Sequence, residues 1–178
     1  MRTLILRFTA ITALAIGALV LLAPAAEAQE RCVPFGGTMF LWHTDNWYGV
    51  GDLSVGRKVM HADLVDINTS IVFGDYIWTG TEMATFDFGH GNRFQTPIEF
   101  IAEHVNDSVS ASGVFHISEI GTLTKGTGMF KNTYGHYIMQ GPFGPNVKLP
   151  DNIQPAPGAD MFGIVQYHGT ICGIKDSD

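Results

Sequence analysis

The sequence predicts an all-β protein: a single eight-stranded antiparallel β-barrel, closed near its seam by a disulfide between the two ends of the chain. Three observations lead there. Strand-like runs separated by Gly, Asn, Asp and Pro recur at roughly ten-residue spacing, and no long helical pattern interrupts them. The two cysteines, Cys32 and Cys172, stand near the two ends of the region that follows a leader-like segment. Glycine is dense inside the strand-like runs, where a flat sheet would avoid it and a curved one needs it.

The leader comes first. Arg2 and Arg7 form a positive start, residues 8–22 are uncharged and mostly apolar, and Ala26-Glu27-Ala28 is a small-x-small cleavage site. Residues 1–28 therefore read as a secretory signal peptide; the apolar run is short for a membrane span. The expected location is secreted or periplasmic, with no membrane association in the mature form.

The mature chain, residues 29–178, suits one domain with a sizeable core. The full chain has 10 Lys+Arg and 17 Asp+Glu. Without Arg2, Arg7 and Glu27 the mature part keeps 8 and 16, a formal charge of −8. Scattered acidic charge with no basic cluster argues against nucleic acid as a partner. In an exported chain an even pair of cysteines reads as a disulfide, with two buried thiols as the alternative.

The strand-like runs are residues 37–43, 53–64, 69–79, 83–88, 94–105, 109–117, 129–140 and 162–174. In the fifth, Ile98, Phe100 and Ala102 share one face and Glu99 and Glu103 the other. In the sixth, Val109, Ala111, Phe115 and Ile117 alternate with Ser110, Ser112 and His116. Runs of this kind build a sandwich or a barrel. Pairing of the terminal segments through Cys32 and Cys172 favours the barrel, which also removes exposed sheet edges. Gly126-Thr127-Gly128 reads as a hairpin turn feeding a strand, and Gly135 as a bulge, a barrel corner or a close backbone approach. Residues 141–160 hold five of the eight prolines and read as a long, stiff loop, a place for a lid or a binding loop.

Gly126-Thr127-Gly128-Met129-Phe130, followed by Gly135, resembles the G-T-G-x-F-x-x-x-x-G stretch of dirigent proteins. Phe130, Tyr134 and Gly135 are similar to the G-x-F-x-x-x-Y-G run of allene oxide cyclases. The resemblance covers roughly residues 99–174. It implies a calycin-type barrel of eight antiparallel strands, often trimeric in plants, with an apolar interior that holds a flexible substrate. Its motif of turn and barrel residues carries no catalytic residue across, and no cofactor is expected.

The residues themselves offer acid–base and ligand-orienting groups. Asp75 interrupts an apolar stretch, and a carboxyl in an apolar cavity would hold its proton and could donate it. Tyr134, His136 and Tyr137 could orient a ligand by hydrogen bonds. Trp78, Phe100, Phe115 and Tyr137 are the candidates for lining a ligand pocket, while Glu99 and Glu103 read as solvent-facing. His104, His116, His136 and His168 lie on strand-like runs, but no metal-binding spacing exists along the chain and no metal is expected. No G-x-S-x-G or helix-bound G-x-G-x-x-G supports nucleophilic or nucleotide chemistry. The expectation is an exported barrel that binds a small apolar molecule, with cyclase or isomerase activity if it is an enzyme. The alternative is a non-catalytic exported barrel acting in protein–protein contact or assembly; on either reading a homo-oligomer, trimer or dimer, is a candidate partner state.

Overall fold

Burial with a period of two runs along the barrel strands. In the strand Phe115–Leu123, Phe115, Ile117, Glu119, Gly121 and Leu123 turn inward, while His116, Ile120 and Thr122 turn outward. That alternation is what a sheet with one wet face and one packed face imposes. The computed structural model describes residues 32–74, 77–104 and 113–174, with side chains at all of these except 67, 68 and 104. In chain order the elements are β1 (Cys32–His43), β2 (Trp47–Val55), β3 (Lys58–Phe73), β4 (Ile77–Asp87), β5 (Arg93–His104), β6 (Phe115–Leu123), β7 (Lys125–Thr127), a 3-10 turn (Gly128–Phe130), β8 (Tyr134–Gly144) and β9 (Met161–Cys172).

The sheet closes on itself. β1 to β6 pair in sequence as an antiparallel meander, β6 pairs β8, β8 pairs β9, and β9 returns to β1 along its whole length. Eight long strands form the wall, and β7 adds a three-residue patch on β5. At the seam Cys32 stands opposite Cys172, and the two are joined by a disulfide. Closure leaves no long unpaired edge among these eight strands, which is how a β protein avoids edge-to-edge association.

Several boundaries differ from the sequence reading. The run 53–64 is two strands, split by a two-residue hairpin turn at Gly56-Arg57 that pairs Val55 with Lys58. The run 69–79 also spans two strands, the end of β3 and the start of β4. Residues 126–128 are not a simple hairpin turn: Gly126 and Thr127 pair with β5, and Gly128 opens the 3-10 turn. β8 extends to Gly144, so the proline-rich connection shortens to residues 145–160. Asp75 and residues 109–112 of the sixth run lie outside the described residues.

The barrel interior has two halves. One is solid with rings: Phe86 stacks on Phe94 at 4.7 Å, Phe35 meets both edge-on, and Tyr137 and Tyr167 pack at 5.3 Å. Phe88 and Phe130 cap this end at 4.9 Å. Such rings each bury a large apolar area and dominate a core's energetics. Glycine creates the room: a Cβ on Gly121 would overlap the Tyr137 ring from the neighbouring strand. Gly135 marks a close backbone approach, since a Cβ there would run into the Thr170 carbonyl of β9. The other half of the interior is not filled.

Candidate functional site

The unfilled half is a cavity of about 280 Å³ at the end of the barrel where β1, β3 and β5 finish and β4, β6 and β9 begin. Its walls are largely apolar: Leu41, Trp47, Ile71, Phe73, Trp78, Phe100, Ile117, Phe143 and Met161. Phe73 is 67 % exposed and His43 is partly so, which places the mouth between them. The His43 Nδ1 lies 2.9 Å from an Asp160 carboxylate oxygen, pinning the end of the proline-rich loop to β1. That hydrogen bond holds the Asp160 carboxyl below the usual range.

Three acids lie against this apolar space. Asp66 on β3, Glu82 on β4 and Glu119 on β6 line the cavity, yet are only 4 %, 6 % and 4 % exposed. Their positions follow from strand phase. Glu82 shares the inward phase of Trp78, Ala84 and Phe86; Asp66 that of Ala62 and Leu64; Glu119 that of Phe115 and Ile117. A β-bulge between Ile67 and Ser70 then inserts one extra residue into β3. It switches the inward set from even to odd positions, so Ile71 and Phe73 continue the cavity wall beyond Asp66. Re-aiming side chains in this way is a common role of bulges beside binding sites.

The acids touch one another. Glu82 is the centre: it accepts hydrogen bonds from Asp66, Glu119 and the Thr69 hydroxyl. Carboxyl groups in contact cannot all be ionised, so protons must lie between them. Burial pushes Asp66 and Glu119 well above the usual carboxylate range, and the neighbouring Glu82 charge pushes the same way. Glu82 is also raised by burial but is held back by the hydrogen bonds it receives. The cluster thus comprises two proton-holding acids around the one carboxyl most able to carry charge. The Asp66 Oδ1 is buried with no hydrogen-bond partner. Behind the cluster, burial and the Glu119 charge raise the Tyr137 and Tyr167 phenols well above their ordinary value.

The sequence candidates divide. Trp78 and Phe100 line the cavity. Phe115 lies behind that wall, its ring 4.2 Å from Trp78. Tyr137 is fully buried on the cluster's inner side rather than in the cavity. Tyr134 and His136 are on the outer surface, because Gly135 and Tyr137 take the inward phase of β8. Glu99 and Glu103 face solvent. Among the described residues no group of His, Cys, Asp and Glu is arranged to hold a metal ion. Residues 145–160 contribute nothing to the cavity wall.

The sequence reading did not single out Asp66, Glu82 or Glu119. The signal was present: each falls in phase with inward apolar neighbours on its own strand. The chain matches no family model, no curated protein and no solved structure. Function therefore rests on the site's own chemistry.

Proposed function

We propose that this is an exported barrel that binds a small, mostly apolar molecule in its open half and exchanges a proton with it. The observation that carries this reading is the juxtaposition of an aromatic-lined cavity of about 280 Å³ with three buried carboxyl groups. Convergent polar groups in an apolar pocket are the general mark of a small-molecule site. Acids whose environments raise their affinity for protons are suited to general acid–base work. Asp66 and Glu119 would donate and Glu82 would accept, so the fitting reaction class is a cofactor-free cyclisation or isomerisation. The likeness of residues 126–135 to allene oxide cyclase and dirigent barrels points the same way. Export is supported by the leader-like start and by the Cys32–Cys172 bond, since disulfides persist in oxidising compartments.

Native mass spectrometry of the mature chain, purified from its own exporting host, tests this. We expect a retained organic molecule that an Ile71→Trp substitution, filling the cavity from its mouth, displaces. A chain that carries nothing and binds no apolar probe would overturn the reading.

A second reading rests on the outer face. Ile120 and Ile138 are 59 % and 45 % exposed and stand opposite each other across β6 and β8. An apolar pair there suits a barrel that acts through contact with another chain, including a second copy. A strictly monomeric mature protein in the same spectra would remove the self-association form of this reading.

A further inference from the structure

The cavity's walls and its acids together define a ligand class, an inference that rests on the small-molecule reading above. Three carboxyl groups face one space, and among the described residues lining it there is no Lys or Arg. The one basic side chain in the lining, His43, is at the mouth and is engaged with Asp160. Two protons satisfy the two carboxyl–carboxyl contacts centred on Glu82. A charge on the third carboxyl would have no Lys or Arg among the described lining residues to answer it, and an uncompensated buried charge is strongly unfavourable.

The Asp66 side chain gives an independent sign. It is more than nine-tenths buried, lines the cavity, and its Oδ1 has no partner. A buried polar atom left in that state calls for an explanation. A purely apolar ligand would leave it unsatisfied, and an anionic one would add like charge. The aromatic walls add a third preference. Trp47, Phe73, Trp78, Phe100 and Phe143 surround the space, and the negative faces of such rings attract cations.

We infer that the cavity takes a small apolar amine, with its ammonium seated against Asp66 and Glu82 and its hydrocarbon body between the aromatic walls. Size sets the body. An apolar cavity of about 150 Å³ holds one benzene ring, so the 280 Å³ here suits one ring with a short chain.

Titration calorimetry at neutral pH and physiological salt decides the matter, using the disulfide-bonded mature chain and three probes of one shape: 2-phenylethylamine, 2-phenylethanol and 3-phenylpropionate. The amine should bind about tenfold tighter than the alcohol, in line with an ion pair assisted by ring faces, and the carboxylate should not bind. Glu82→Gln, which removes the carboxyl most able to carry charge, should erase the preference for amine over alcohol, with circular dichroism confirming that the variant is folded. If the unsubstituted chain binds the alcohol as tightly as the amine, the ligand class is wrong while the apolar-cavity reading stands. If neither binds, both fall. A Glu82→Gln chain that keeps the full preference would overturn the seat assigned to the ammonium.

Discussion

The carboxyl cluster makes the barrel's stability depend on pH in an unusual direction. Asp66 and Glu119 are held well above the usual carboxylate range by burial and by Glu82. Unfolded carboxyls lose their protons near about pH 4. Above that, the folded chain holds protons that the unfolded chain has released, so stability falls as pH rises, until the folded groups titrate. Each retained proton contributes a slope of about 1.4 kcal/mol per pH unit, so two acids give about 2.8 at the steep start of the range. Asp45 and Asp160 are lowered by their hydrogen bonds and titrate below this window. Glu119→Gln removes one ionisable group yet keeps a donor toward Glu82. Urea unfolding of the disulfide-bonded mature chain between pH 5 and pH 8 should show the wild type losing stability. The variant should lose less, by about 1.4 kcal/mol per unit where the wild type is steepest, and should be the more stable of the two at pH 8. Comparing the two chains cancels the titrating groups that lie outside the cluster. A wild-type profile that matches the variant's throughout would refute the reasoning.

Other consequences follow from the same geometry. The Cys32–Cys172 bond spans a sequence separation of 140, and the loop-entropy relation puts its contribution at about 5 kcal/mol. A Cys32→Ser/Cys172→Ser chain should lose most of that in guanidinium unfolding, and a loss under about 1 kcal/mol would contradict closure as a major source of stability. Gly121→Ala should cost about 1–3 kcal/mol by driving a methyl into the Tyr137 ring, read as a lowered unfolding midpoint; an unchanged midpoint would mean that the ring is not packed there. Ile71→Trp should leave the unfolding midpoint nearly unchanged, because Ile71 is only partly buried at the mouth, while removing 2-phenylethanol binding in calorimetry.

Closure was legible in the sequence because two signals coincided: cysteines near the two ends, and strand-like runs enough to wrap once around. The exact hairpins were less so. The run 53–64 reads as one strand because a two-residue turn at Gly56-Arg57 scarcely interrupts the composition. Strand phase also carries information about the site. Tyr137 and His136 are adjacent, so period two forbids both from facing inward; with Tyr137 in the core, His136 and Tyr134 had to face out. The same rule, run back from Phe86, places Glu82 inside, and run on from Ile117 places Glu119 inside. What no single strand reveals is that Asp66, Glu82 and Glu119 meet. That depends on the pairing of β3 with β4, the register of β5 between β4 and β6, and the bulge at residues 67–70.

The most direct test is a crystal structure of the mature chain soaked with 2-phenylethanol. We expect the ring to lie among Trp47, Trp78, Phe100 and Phe143, with its hydroxyl directed at the Asp66 Oδ1. A barrel whose side chains fill that end completely, or whose acids turn away from it to meet solvent, would contradict the account.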